Sequence, residues 1–149
     1  MPTSRRHIVE PPILSPLDAA LRQVGDRWTL LLVEALLGGP RRFGELLEAL
    51  DGLAPNILSR RLKALEASGL LTAVPYSQRP HRAAYALTAA GAELAGALRL
   101  LAQWGAGREA TAGGSLNHET CGTPLDARWW CPTCARTVDD GEAPDLDYV

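Results

Sequence analysis

The sequence contains no long apolar run. No stretch of about 18 consecutive apolar residues, the length that a transmembrane helix needs, occurs in the 149 residues. Near the N-terminus, Arg5, Arg6 and His7 stand with several prolines where a signal peptide would have its apolar core. We therefore expect a cytoplasmic protein that does not associate with membranes.

Recognisable catalytic motifs are also missing. The sequence shows neither a set of nucleophile, base and orienting residue nor a glycine-rich loop that could cradle phosphates. The pair Gly113-Gly114 is typical only of a linker. The sequence thus predicts that the protein is not an enzyme.

The chain has no overall positive charge, which by itself argues against a nucleic-acid-binding protein. Its formal net charge is −2, but the charges are segregated along the sequence. Residues 53–89 carry five basic side chains against Glu66, a net charge of +4, whereas residues 111–149 carry two arginines against seven acids, a net charge of −5. Because salt screens exposed charges beyond roughly 8–10 Å, the basic centre can bind phosphates although the whole molecule is slightly acidic.

The first half of the chain has a helical pattern. A first helix begins at Pro16, with Ser15 as its cap, and residues 28–37 form a second helix that is apolar nearly all round. A third helix covers residues 43–50, after a short extended segment at 41–42. The apolar stripe of the first helix comprises Leu17, Leu21 and Val24. We expect the second helix to lie in the core.

The most informative segment is the helix predicted for residues 54–68. Pro55 suits its first turn and Gly69 suits its end. At about 100° per residue, three leucines lie on one face and four hydrogen-bonding side chains on the opposite face. The leucines are Leu58, Leu62 and Leu65, and the polar residues are Asn56, Ser59, Arg60 and Lys63. Since a tight glycine-containing turn joins this helix to the third helix, the pair is typical of a helix-turn-helix.

After this helix the pattern changes to that of strands. Residues 70–76 and 83–87 predict a β-hairpin whose loop, 77–82, is basic. A long helix over residues 88–107 follows, and its small residues suit close packing against another helix, within one chain or in a dimer. The predicted fold is therefore mainly α with a small β-hairpin wing, a winged helix-turn-helix over residues 15–110.

This order of motifs resembles that of the HxlR-type bacterial transcriptional regulators. The matching stretches, within about residues 15–107, are Ser15-Pro16-Leu17 with Ala20-Leu21, Gly25 to Leu32, Gly39 to Leu46, Leu58 to Leu65, and Tyr85-x-Leu-Thr-x-x-Gly91. The resemblance implies a homodimer that binds a pseudo-palindromic operator in double-stranded DNA. Some members carry a redox cysteine near the start of the first helix, where this chain has Ser15, so redox sensing at that position is not expected.

The helix over residues 54–68 would enter the major groove, where Arg and Lys reach guanine or a phosphate and Asn pairs with adenine. Arginines of the wing would approach the minor groove or the backbone, where negative potential is concentrated. Arg61, on the flank of the helix, would contact a phosphate or form an intramolecular ion pair. The candidate DNA-binding residues are Asn56, Ser59, Arg60, Arg61, Lys63, Arg41, Arg42, Arg79, His81 and Arg82.

All three cysteines lie in the C-terminal tail. With one histidine they form two pairs, His118-x2-Cys121 and Cys131-x2-Cys134, with nine residues between them. This spacing predicts a small zinc ribbon over residues 116–138, and its four protein ligands leave no position for water, so that the zinc, one per chain, is structural. A disulfide would leave one cysteine unpaired, and a redox dithiol at the second pair lacks the surrounding βαβ pattern.

The remaining segments connect or flank these two units. Residues 1–14 predict an N-terminal arm, residues 111–115 a linker, and residues 139–149 an acidic tail that we expect to be disordered. Within the ribbon, Trp129 and Trp130 would supply the few apolar contacts.

Two questions of function stay open at this point. The alternative to a DNA-binding regulator is a zinc-dependent protein-interaction module, or a redox- or zinc-responsive switch, that uses the ribbon. An unidentified small-molecule effector would have room in an apolar cleft between the helix of Trp28 and the helix that ends near Trp104.

Overall fold

The computed structural model describes residues 15–78, 81–108, 114–139 and 141–142. The predicted N-terminal arm at 1–14 lies outside these ranges, as do parts of the predicted linker and acidic tail. None of the helices in the described ranges has the length and hydropathy that crossing a membrane requires.

The described residues form mostly helices, with two small antiparallel sheets. In chain order the elements are α1 (Pro16–Val24), α2 (Arg27–Leu37), β1 (Arg41–Arg42), α3 (Phe43–Ala49), α4 (Pro55–Ala67), β2 (Leu71–Gln78), β3 (His81–Leu87), α5 (Ala89–Ala92), α6 (Ala95–Ala106), β4 (Trp129–Cys131) and β5 (Arg136–Val138). One sheet has the strand order β1-β3-β2, and β4 pairs with β5 in the other. The mainly helical prediction with a β-hairpin after the helix-turn-helix is confirmed.

Side-chain caps begin the first two helices. The hydroxyl of Ser15 accepts a hydrogen bond from the N–H of Asp18 at 3.0 Å, as its position before Pro16 predicts. Asp26 caps α2, and its Oδ1 accepts from the N–H of Trp28 at 3.1 Å. The sequence indicated only a break at Asp26. Each such cap stabilises a helix by about 1 kcal/mol.

The core lies where one face each of α2, α3 and α4 meet. Its buried residues are Leu32, Val33, Leu36, Leu46, Leu50, Leu53, Leu58, Leu62, Leu65 and Leu71. All three leucines predicted for the inner face of α4 belong to this core, and so do three residues of the predicted core helix α2. Burying α4 through its leucines leaves its opposite face toward solvent.

Within the described residues, large apolar side chains on two helices are exposed. Of the predicted stripe on α1, only Val24 is buried, and Leu17 is 57% exposed. α6 contains no buried residue, and its Leu101 and Trp104 are 54% and 64% exposed. Exposed apolar residues at helical spacing on both helices mark a surface suited to a partner.

The helix predicted over residues 88–107 is wrong in one respect, because residues 93–94 divide it into α5 and α6. Gly91 packs so closely that a Cβ added there would lie 2.1 Å from the backbone oxygen of Leu70. The N–H of Leu94 then bonds to the carbonyl of Gly91 at 3.3 Å, a 3₁₀-type turn within the helical segment. This tertiary contact places α5, and the helical period of the sequence does not reveal it.

The wing differs from its prediction in the length of its strands. β2 continues to Gln78 and β3 begins at His81, so the predicted six-residue loop 77–82 is mostly strand. The register shifts between Pro75 and Ser77, and the strands pair again beyond this irregularity. A proline is tolerated there because β2 is an edge strand of the sheet. The polar sequence suggested a loop, but backbone pairing does not depend on apolar side chains.

Candidate nucleic-acid interface

The solvent face of α4 carries the predicted base-reading residues. Asn56, Arg60 and Lys63 are exposed, and Ser59 is half-buried. All four stand on the same helix as the buried leucines, so the core contacts determine which side of α4 is turned toward solvent. Because α4 is 13 residues long, it extends about 20 Å, which suits insertion into a major groove.

A cavity of about 690 Å³ lies between α3, α4 and the three-stranded sheet. Four predicted DNA-binding residues line it, namely Arg42, Ser59, Lys63 and Arg82. They come from β1, α4 and β3, which are far apart in the sequence. The tertiary structure thus joins α4 and the wing into one concave surface.

Three carboxylates line the same cavity, and the charge count along the sequence did not reveal them as a group. They are Glu45, Glu48 and Glu66. They match the three cations of the lining in number, so the cavity itself attracts phosphate less than the +4 charge of residues 53–89 suggests. Burial, and then the carboxylate of Glu66, raise the pKa of Tyr85, so this phenol stays neutral at physiological pH.

The two arginines before α3 make intramolecular contacts. The Nε of Arg41 donates to the carbonyl of Ala35 at 2.8 Å, which ties Arg41 to the last turns of α2. The guanidinium of Arg42 lies 4.5 Å from the ring centroid of Tyr76, a cation–π contact with β2. Arg42 therefore lines the cavity and links β1 to the wing.

The wing residues are described only in part. Arg82 is exposed and lines the cavity. The backbone of His81 pairs with Gln78 at the end of the hairpin, and the description does not extend to the side chain of His81. Arg79 lies outside the described residues.

For Arg61, the structure favours the intramolecular alternative. Its Nη2 lies 2.8 Å from Oδ2 of Asp26, and the two side chains are 28% and 34% exposed. The Nε of Arg61 is buried and has no hydrogen-bond partner among the described residues. A buried N–H without a partner destabilises the fold by about 1–3 kcal/mol. Sequence patterns missed Asp26 as the partner because 35 residues separate the pair.

The histidine and cysteine pairs of the tail each occupy a turn. The Nδ1 of His118 lies 3.2 Å from Sγ of Cys121, and the N–H of Cys134 donates to Sγ of Cys131 at 3.5 Å. The residue after each pair has a left-handed backbone, with φ of 69° at Gly122 and 52° at Ala135. Hydrogen bonds from Thr123, and then from His118, lower the pKa of Cys121 to about 7. Hydrogen bonds from Cys134 also lower the pKa of Cys131.

The donor types and the two turns suit zinc, but the two pairs remain separate. Within the described ranges, no three His, Cys, Asp or Glu side chains are gathered into a group that could hold a metal ion. β4 and β5 flank the second pair, and an isolated bridge between Asn117 and Pro124 closes the first turn. Trp129 and Trp130, which were expected to supply the few apolar contacts of the ribbon, are 65% and 59% exposed.

An apolar cavity of about 560 Å³ lies between α6 and the C-terminal segment. Leu100 of α6 and Leu116, Leu125 and Trp129 of the tail line it. The effector cleft that the sequence predicts between α2 and α6 stays a prediction. Glu142, in the predicted acidic tail, forms an ion pair with Arg136 of β5.

Comparison with known proteins gives consistent matches. The model of a family described as HxlR-like helix-turn-helix matches residues 23–111. An uncharacterized HTH-type transcriptional regulator of Mycobacterium tuberculosis is 42% identical over 122 residues, which cover 80% of this chain and 77% of that protein.

Solved structures resemble the chain as well. A putative transcription factor from Pseudomonas aeruginosa is 35% identical, with a TM-score of 0.66 over 87% of this chain and 90% of that chain. PA1607, also a putative transcription factor, is 29% identical, with a TM-score of 0.72 over 89% of this chain and 94% of that chain. The family model ends at residue 111, and residues 1–111 make up about three quarters of the sequence. Both structures cover more of the chain than that, so both matches include residues after 111.

Proposed function

Since the chain belongs to the HxlR-like helix-turn-helix family of transcriptional regulators, we propose that it acts as a homodimer on a pseudo-palindromic DNA operator. The observation that carries the proposal is the solvent face of α4, where Asn56, Arg60 and Lys63 are exposed beside a cavity shared with the wing. An exposed row of donors on the second helix of a helix-turn-helix is suited to reading base edges.

Each element has a separate part in this proposal. α4 lies in the major groove, where Arg60 and Lys63 contact guanine or phosphate, and where Asn56, near the N-terminus of the helix, pairs with adenine. Arg82 extends from β3 toward the adjacent minor groove or backbone. Arg42 contacts Tyr76 of the wing and lines the same cavity of the protein as Arg82.

The selection of binding sites from a pool of random-sequence duplexes tests the proposal. We expect enriched sequences with two half-sites related by a dyad, whose centres are about 10–10.5 base pairs apart or a multiple of that distance. Footprinting on the enriched duplex should protect both half-sites. A pool without enrichment, at a salt concentration where random DNA still binds, would refute sequence-specific recognition.

The uncovered faces of α1 and α6 support the homodimer. Leu17 and Leu21 on α1, and Leu101 and Trp104 on α6, are large apolar side chains that a single chain leaves more than half exposed. Burying apolar area contributes about 25 cal/mol per Å², so covering these faces favours association. A twofold dimer also matches the dyad of a palindromic operator.

We expect Leu101→Glu to convert the dimer to a monomer, because it places a charge in the proposed interface. Sedimentation equilibrium measures the change, and affinity for the selected duplex should fall with it. Gln103→Glu is the matched control, since it adds the same charge at an exposed position about 200° away around α6. A Leu101→Glu protein that stays dimeric would show that this face of α6 lies outside the interface.

We also propose that His118, Cys121, Cys131 and Cys134 bind one structural zinc ion per chain. Support comes from the donor set and from the two turns: His118 Nδ1 lies close to Sγ of Cys121, and the backbone and side chain of Cys134 both form hydrogen bonds with Cys131. When bound, the ion would cross-link the two turns through thiolate and imidazole ligands. Because the two pairs are separate in the structure, metal binding requires them to approach each other.

A further inference from the structure

Among the residues that the structure describes, Arg61 is the only cation of α4 that forms an ion pair. Arg60, next to it in the helix, is exposed, whereas Arg61 is directed to Asp26 at the start of α2. Consecutive residues of a helix point about 100° apart. One arginine therefore faces solvent while its neighbour contacts the body of the protein.

Asp26 makes two kinds of contact at once. Its Oδ1 accepts hydrogen bonds from the N–H groups of Trp28 and Thr29, at 3.1 and 3.2 Å, which begins α2. Its Oδ2 lies 2.8 Å from Nη2 of Arg61. The carboxylate therefore joins the first turn of α2 to the middle of α4. Asp26 also stands two residues after the end of α1, which carries the exposed apolar side chains assigned to the dimer interface.

The leucine face of α4 does not by itself determine the angle of the helix with high accuracy. Apolar burial is non-directional, so Leu58, Leu62 and Leu65 tolerate small rotations and shifts of α4 against α2. A charged hydrogen bond is short and directional, and it selects one of these arrangements. The arrangement it selects decides where the solvent face of α4 presents its side chains.

Stability alone does not account for the pair. The partly buried guanidinium keeps its Nε without a hydrogen-bond partner among the described residues, and partly buried ion pairs are often no more stabilising than apolar residues of the same size. Directing Arg61 to Asp26 also withdraws a cation from the surface that would contact phosphates. Both disadvantages are consistent with a role in orientation.

We propose that the Asp26–Arg61 ion pair positions the recognition helix: it holds α4 at the angle to α2 at which Arg60 and Lys63 reach the DNA. Asp26 and Arg61 act through α4 and touch no base or phosphate. This inference rests on the proposed function, since it assigns a role within sequence-specific recognition. It predicts that breaking the pair reduces discrimination between DNA sequences more than it reduces binding to DNA in general.

Two substitutions test the proposal with opposite changes of charge. Asp26→Asn keeps an efficient helix cap and removes the ion pair, and it makes the chain more positive by one charge. Arg61→Met keeps an unbranched apolar stem as far as the position of Nε, and it removes the charge together with the unpaired Nε. We expect both proteins to fold, as thermal unfolding followed by circular dichroism would show.

For both variants we expect the affinity for the selected duplex to fall on the order of tenfold, the effect of one impaired base contact. Affinity for a random duplex should stay the same in Arg61→Met, and should stay the same or increase in Asp26→Asn. Glu34→Gln is the matched control, because it removes a negative charge from an exposed position of α2 and should leave both affinities nearly unchanged.

A direct phosphate contact by Arg61 gives a different result. Arg61→Met would then weaken binding to random DNA and make the negative slope of log K against log salt shallower by about 0.9. Asp26→Asn would leave the affinity for the selected duplex unchanged or raise it. Either result with Asp26→Asn would overturn the proposal. Failure of the underlying function is distinguishable, because the unmodified protein would then show no preference for any selected duplex.

Discussion

The double variant Arg60→Ala/Lys63→Ala is expected to lose sequence-specific operator binding while it keeps its fold. Both side chains are exposed on α4 and belong to neither the core nor a described ion pair, so their removal leaves the packing intact. A base contact of this kind contributes about 1–3 kcal/mol, so the loss of two should weaken binding by roughly 30-fold or more. Fluorescence anisotropy with the selected duplex at fixed salt measures this loss.

The control for this variant removes the same charge elsewhere. Arg99→Ala/Arg128→Ala deletes two exposed cations from α6 and the tail, and we expect a much smaller effect on operator affinity. If Arg60 or Lys63 binds a phosphate, the negative slope of log K against log salt should also become shallower by about 0.9 for each phosphate that the variant no longer neutralises. Unchanged operator affinity in both the Arg60/Lys63 double variant and an Arg82→Ala variant would refute the assigned interface.

The second large effect concerns the metal. We expect the protein to contain one zinc per chain, and Cys131→Ser/Cys134→Ser to lose it, as measured by mass spectrometry of the metal content. Structural zinc supplies about 10–16 kcal/mol in zinc-finger peptides, so residues 116–138 should lose their ordered turns. The winged helix should keep its thermal transition, because its core includes no residue of the tail.

Thr133→Ala is the matched control, because it changes the same turn and leaves all four donors in place. The zinc proposal would be wrong if the unmodified protein, purified in the presence of zinc, contained no more metal than the cysteine variant.

Deletion of residues 115–149 separates the two interpretations of the tail. If sequence-specific DNA binding survives the deletion, the winged helix recognises the DNA without the tail. If the tail alone captures a partner protein, the result favours the alternative of a zinc-dependent protein-interaction module.

Much of the fold followed from local patterns. Ser15 before Pro16 predicted the start of α1, and the spacing of Leu58, Leu62 and Leu65 predicted the buried face of α4. Apolar period and capping act over a few residues, so they can be recognised without knowledge of the fold. The resemblance to HxlR-type regulators depends on the same stretches, and the match of the family model is consistent with it.

The candidate site was predicted less completely. The sequence indicated which side of α4 is polar, but the three carboxylates around the cavity come from two helices, Glu45 and Glu48 from α3 and Glu66 from α4, so their grouping was not recognised. The spacing of the histidine and cysteines in the tail predicts a four-ligand group, and among the described residues the structure shows two pairs that are not gathered into such a group. Side chains that meet across the fold cannot be paired from their order in the chain.

By itself the sequence determined most of the helices, the position of the helix-turn-helix and the leucine face that anchors α4, because these depend on residues three or four apart. Only the tertiary structure decided that Arg61 pairs with Asp26, that Gly91 against Leu70 interrupts the last helix, and that the wing and α4 share one cavity. The physical reason is distance along the chain. Such contacts arise only when the core has brought separate elements together, and local sequence patterns carry no record of which element lies opposite.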